Sequence, residues 1–245
     1  MPSLLDELAS ADGPIQRVPR GMRPALPKRF YKEANVAESG GGFEVRLDGK
    51  PAQTPAKRAL VLPSRPLAEA VAAEWAAQGE TINPGAMPLT RLANVALDRV
   101  TEEREAVVSE ITKYAGTDLV CYRASDPEGL VAAQKSAWDP VLEWARDALG
   151  ARFLCAEGMQ HVAQPPDAIS NVRAEVAKAS SPLALAALAS ATALSGSALI
   201  SLALARGSLS ADTAWAAAHL DEDWNVARWG EDAEATQRRA TLWRK

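Results

Sequence analysis

The sequence predicts an α+β protein in which a small β-rich N-terminal domain precedes an all-α helical-bundle C-terminal domain. Three observations carry this. Alternating apolar and polar residues, bounded by tight-turn residues, occur only in the first third of the chain. Everything behind them follows a helical period, and most of those segments open on a capping residue or proline. Asn83-Pro84-Gly85 interrupts the chain between the two patterns, so the seam is expected near residues 84–88. The chain then divides into an N-terminal arm at 1–27, a β-rich α+β domain at 28–86 and an all-helical domain at 87–245.

Residues 1–27 are rich in Pro, Gly and Arg without a sustained period, as expected of a lead-in arm. In Phe43-Glu44-Val45-Arg46-Leu47 every second residue is apolar, and Asp48-Gly49-Lys50 supplies a hairpin turn. Gly40-Gly41-Gly42 is a corner and not a phosphate cradle, because no Lys-Ser/Thr follows it and the next element is a strand. Leu60-Val61-Leu62 is a second short strand, closed by Pro63. Ser64 and Pro66 open a helix to about Gln78 that groups Leu67, Ala70, Val71, Glu74 and Trp75, with Trp75 as the core anchor. Helices follow at about 88–98, at 102–114 behind Thr101, and from Pro127 to 149 with a break or bend at Pro140. Residues 152–156 read as an isolated extended piece. Helices near 167–178, 182–194, 197–206 and 211–235 complete the chain.

A net charge of −4 and a pI near 5.4 argue against nucleic acid as the main partner, which would want a basic face. Cys121 and Cys155 lie far apart in sequence and form no metal-like or CxxC spacing. They suit small buried hydrophobes in a reducing compartment. The N-terminus has no apolar signal core, and Asp6, Glu7 and Asp12 are unlike a mitochondrial transit segment. The alanine and arginine usage points to a bacterial cytoplasmic protein. Residues 183–205 carry no charge and are long enough to span a bilayer. However, Ser195-Gly196-Ser197 ends one helix and starts another far more naturally than it continues a span. Two buried helices, with no stable membrane insertion, is the better account.

Chemistry is scarce. His161 and His219 are the only histidines, which leaves little from which to build a triad or a multi-histidine metal site. Ser195-Gly196-Ser197 lacks the context of a nucleophile elbow. Asp98 and Asp118 read as caps or salt-bridge partners, and no dinucleotide or Walker motif is present. The expectation is no enzyme, no metal and no cofactor. A small-molecule enzyme and a membrane-associated assembly factor are the alternative classes.

The C-terminal end is instead aromatic and acidic. Trp215, Trp224, Trp229 and Trp243 crowd it, and Trp is the residue most enriched at binding hot spots. If 211–235 is one helix, Trp215, Ala218, His219, Val226, Trp229 and Ala233 share an apolar sector. Glu222 projects into its middle, while Asp221, Asp223, Glu231, Asp232 and Glu234 fall outside. A carboxylate there needs a partner. Either His219, one turn earlier, supplies it, or another protein does, with the stripe as a docking surface.

Several blocks are similar, in order, to one family. They are RFYKEANV (29–36), LDGKPAQTP (47–55), EWAAQGETINPGAMPLTRLANVALD (74–98), TDLVCYRA (117–124), Gln134 with Trp138-Asp139-Pro140, and LDEDWNVARWGEDAEA (220–235). Met87-Pro88-Leu89-Thr90 and Asn94 are the most specific. Across most of the chain the set resembles the ATP12-like assembly chaperones for the alpha subunit of F-type ATP synthase, shared by mitochondria and alphaproteobacteria. The resemblance implies a small β-rich domain joined to a helical one, and a non-enzymatic, cofactor-free role. The protein would be a monomer when free. It would hold the new alpha subunit, cover the surface that later meets a beta subunit, and leave as the catalytic hexamer forms. The resemblance does not assign the client surface residue by residue. Glu222, Trp229, His219, Glu231 and Asp232 are the residues read for client binding here, and Trp75, Met87, Asn94 and Trp138 are read as structural.

Overall fold

The structure is a computed structural model that describes residues 25–158, 162–230, 239 and 243. It is α+β, and it groups the chain into two compact units, Met1–Glu103 with Thr241–Lys245, and Arg104–Ala240.

The first unit is built on a four-stranded antiparallel sheet. Strand β1 (Ala34–Ser39) pairs along its whole length with β2 (Gly42–Leu47). The other edge of β2 takes β3 (Lys50–Pro51) at one end and β4 (Val61–Leu62) at the other. Ser39 pairs with Gly42, so Gly40-Gly41 is a two-residue hairpin loop. Gly42 is required: its φ is +142°, and a Cβ there would lie 2.4 Å from the Leu62 carbonyl oxygen. At the second hairpin Asp48 and Gly49 both take positive φ, the conformation of a type I′ turn. The Asp48 carboxylate also accepts from the backbone N–H of Lys32 (2.9 Å) and Glu33 (2.8 Å), and these bonds hold it below the usual carboxylate range.

Helix α1 (Arg65–Ala76) lies against β1 and β2 and buries Ala68, Val71 and Ala72. It also starts the next helix. Helix α2 (Pro88–Val95) is preceded by Met87, whose side chain cannot cap. Glu74 of α1 takes over that task, accepting from Leu89 N and Thr90 N (both 2.8 Å) and from Thr90 Oγ1 (2.7 Å). Its charge meets the positive end of the helix dipole. Gln78 accepts from Asn83 N (2.7 Å), and Asn83 caps the 3-10 turn Pro84–Ala86. Behind α2, a π-helical turn (Ala96–Val100) carries Asp98, which accepts from Thr54 Oγ1 (2.6 Å) and Ala56 N (3.0 Å). Thr101 donates to Ala96 O, so it closes this turn and does not cap the following helix. Helix α2 and the π turn bond to α1 and to residues 54–58, and the units divide at Glu103–Arg104.

The second unit is helical: α3 (Arg104–Gly116), α4 (Glu128–Leu149), α5 (Pro166–Val176), α6 (Pro182–Ser195), α7 (Ala198–Ala205), α8 (Ala211–Ala218) and α9 (Leu220–Trp229). Helix α7 is its core, with residues 198–203 all buried and α3, α4, α6 and α8 packed around it. Each buried Leu or Ile side chain there contributes about 1.5–3 kcal/mol. The Ser195-Gly196-Ser197 break forms as expected. Gly196 takes the left-handed conformation that ends α6, and Ser197 caps α7 by accepting from Ile200 N. The Ser197 hydroxyl donates in turn to Asp118 (2.5 Å), a fully buried acid that also accepts from Val120 N and Leu199 N. Burial pushes the Asp118 pKa up to about 6 against these bonds.

Two expected elements take another form. Helix α4 runs unbroken through Pro140. The missing N–H would have met the carbonyl of Ser136, and both residues are solvent-exposed, so water can take that acceptor. The extended piece expected at 152–156 overlaps the strand only at Ala156: β6 (Ala156–Glu157) lies in parallel pairing with β5 (Tyr122–Arg123). That register makes Cys121 and Cys155 neighbours although 34 positions separate them. Cys121 is buried and its thiol is pushed well up by desolvation and by the nearby acid of Asp118, whereas Cys155 is exposed.

Candidate client-binding surface

The long helix read at 211–235 is two helices in the described residues, α8 and α9, separated at His219 (φ −112°, ψ 17°). No glycine or proline marks this break. The bend cancels the wheel that placed Glu222 inside an apolar sector: Glu222 is exposed. It sits in the first turn of α9 with Asp221 and Asp223, where three acids complement the N-terminal end of the helix dipole.

His219 is buried, and it does not pair with Glu222 among the described residues. Its Nδ1 lies 2.9 Å from the carbonyl oxygen of Trp215, and its ring stacks on the Trp215 ring at 3.9 Å between centroids. The pair stiffens the junction of α8 and α9. Trp138 anchors the same junction from α4. It is fully buried, and its indole N–H donates to Ala217 O at 2.8 Å. One turn earlier on α4, Gln134 accepts from Ala124 N and donates to Asp221 (2.8 Å). Asp221 is therefore tied inward. Asp223 is held by Arg239, which brings its carboxyl below the usual range.

At the far end of α9, Trp229 is 84% exposed, the most exposed large hydrophobic side chain described. Burying a side chain of that size against a partner offers a large apolar gain with few rotamers to freeze. Between α4 and the α8–α9 pair runs an open groove of about 520 Å³, walled by Pro140, Leu209, Ala216, Leu220, Trp224 and Ala227. Trp224 lies directly over Gly129 of α4, where a Cβ would come within 2.6 Å of its ring and push it aside. Glu222, Trp229, the groove and the His219 junction thus belong to one pair of helices and the helix they pack on. Glu231 and Asp232, read for the same role, lie outside the described residues, as does His161.

Of the residues read as structural, Trp138 lies at this junction, and Trp75, Met87 and Asn94 lie in the first unit. Met87 is buried at the start of α2. Trp75 is half-buried on α1. The Tyr31 ring meets it edge-on at 5.6 Å, and the Tyr31 hydroxyl donates to its carbonyl. The Trp75 indole nitrogen and Asn94 Oδ1 are enclosed without a hydrogen-bond partner among the described residues. The sequence pattern does not show the polar groups that join distant segments: Arg29, which donates to Gln78 O, together with Glu74 as a cap and Asp118 with Ser197. Each bonds partners distant in sequence, and no local pattern announces that.

Among the described residues no group of three or more His, Cys, Asp or Glu could hold a metal ion, and no helix is long and apolar enough to cross a membrane. The pattern of the ATP12 chaperone protein family matches residues 28–146. The chain is 24% identical over 220 residues to the mitochondrial protein atp12 of Schizosaccharomyces pombe, covering 84% of this chain and 75% of that one. The crystal structure of Atp12 from Paracoccus denitrificans superposes with a TM-score of 0.82 at 41% identity, covering 89% of this chain and 93% of the other. The Atu1473 protein of Agrobacterium tumefaciens superposes with a TM-score of 0.84 at 49% identity, covering 98% and 91%. With this fold and identity of that extent, the chain belongs to the ATP12 chaperone family.

Proposed function

We propose that the protein is the assembly chaperone that binds the free alpha subunit of F-type ATP synthase and shields its beta-facing interface until the catalytic hexamer forms. Family membership supports the assembly role. The observation that carries the client-binding reading is the α9 helix, which leaves Trp229 and Glu222 in solvent beside an apolar groove. A subunit taken from a hexamer presents an apolar surface with a polar rim, and a surface of this composition complements it. On this reading Trp229 is the apolar anchor, Glu222 supplies rim charge, and His219 holds the junction in shape. Glu231 and Asp232, which lie outside the described residues, are assigned to client binding with them. Trp75, Met87, Asn94 and Trp138 serve folding.

No catalysis is required of the protein, and no cofactor. Release follows from competition, because a beta subunit claims the face that the chaperone covers. The protein works as a monomer in the bacterial cytoplasm. Affinity capture from native lysate tests the reading: the alpha subunit should be enriched with the tagged protein, and its absence alongside recovery of other partners would contradict it.

A further inference from the structure

Arg239 returns to α8–α9 from sixteen positions beyond Asp223. Its two terminal nitrogens engage both carboxylate oxygens of Asp223, Nη2 to Oδ2 at 2.9 Å, and its guanidinium carbon lies 5.9 Å from the centroid of the Trp215 ring. A carboxylate gripping the fork while an aromatic ring meets the guanidinium is how proteins distinguish arginine from lysine. The platform is set in advance. Trp215 is stacked on the buried His219, and Asp223 is placed by its backbone N–H, which donates to His219 O. Glu222 adds a second negative charge that Arg239 feels. The pair is reachable from solvent: the side chains of Arg239 and Asp223 are 27% and 49% exposed, so an added guanidinium can compete for the carboxylate.

We propose that Trp215, Asp223 and Glu222 form an arginine-reading site, which Arg239 occupies in the free protein and which an arginine of the client takes over on binding. The assignment of the client rests on the function proposed above; the arginine site does not. Tethered in the same chain, Arg239 acts as an internal competitor at an effective concentration in the range of about a millimolar. It covers an acidic face until a better-anchored guanidinium arrives, and so raises the threshold against weak basic partners.

Two measurements test this. The first uses the indole N–H resonance of Trp215, assigned with Trp215→Phe. In Arg239→Ala, N-acetyl-argininamide should shift this resonance and the lysine analogue should shift it much less. The response should vanish when Asp223→Asn is added. An unmoved Trp215 resonance in Arg239→Ala, or an equal response to lysine, overturns the site. The second is calorimetric titration of free alpha subunit: Arg239→Ala should bind about threefold to tenfold more tightly than wild type, and Asp223→Asn more weakly. Unchanged or weaker binding by Arg239→Ala overturns the competitor role. If the argininamide response is present while neither wild type nor Arg239→Ala binds alpha, the arginine site stands and the alpha-subunit reading fails.

Discussion

Two glutamates separate the two regions of this molecule. Glu74, beside Trp75 on α1, accepts three hydrogen bonds and starts the helix that follows. Glu222, two positions before Trp224 on α9, faces solvent. The same contrast holds for their surroundings. Around Glu74 the family-like blocks spend their polar groups on one another: Arg29 on backbone carbonyls near Gln78, Asp48 on the N–H groups of Lys32 and Glu33, and Asp98 on the 54–56 loop. Around Glu222 an acid stays exposed, a tryptophan stands in solvent, and an apolar groove lies open. The two regions therefore differ in how they treat their polar and apolar groups: one satisfies them internally, and the other leaves an acid, a tryptophan and a groove open to solvent.

Substitutions in the two regions should part stability from binding. The largest effect belongs to Trp75→Arg. It puts a charge where an indole packs against Tyr31 and should cost about 3–5 kcal/mol, read as a lower melting temperature and soluble yield. If the variant melts like wild type yet fails to bind alpha, Trp75 belongs to the interface. Next is Asp118. The folded protein keeps its proton up to about pH 6, whereas the unfolded chain releases it near 3.8, so the unfolded state binds fewer protons through that window. Asp118 should thus make stability fall by about 3 kcal/mol as pH rises from 4 to beyond 6. Chemical denaturation of Asp118→Asn across that range should show this part of the slope removed; a retained slope means another group causes it.

Glu74→Ala is smaller, because it leaves Leu89 N and Thr90 N uncapped in a partly exposed place. A loss of about 2 kcal/mol is expected, with alpha binding per folded molecule unchanged. Glu222→Lys should barely move the melting temperature while weakening alpha binding by about tenfold, more at low salt than at high. A large stability loss with binding intact would assign Glu222 to folding.

The fold was readable where local chemistry dictates it. Alternation in residues 43–47, Asp48-Gly49 and the Ser195-Gly196-Ser197 break all formed as their residue types require. Breaks without a breaker were not readable. WAAAHLDED contains no glycine or proline, so its pattern predicts one helix through His219 and puts Glu222 on an apolar face that it does not share. Long-range partners were equally hidden. Asp118 and Ser197 are 79 positions apart, and Arg239 finds Asp223 only in the folded chain. At the surface, the concentration of tryptophan and acid near the C-terminus pointed to α9. Which of those tryptophans stands free depends on packing: Trp229 is open, while Trp224 is turned onto Gly129.

The most direct measurement of the central claim is calorimetric titration of the purified protein with the isolated alpha subunit and, separately, with the assembled catalytic head. A chaperone that covers the beta-facing interface should bind free alpha at one-to-one stoichiometry and give no heat with the head, where that interface is already occupied. Equal binding to both would place the contact elsewhere on alpha and contradict the shielding mechanism.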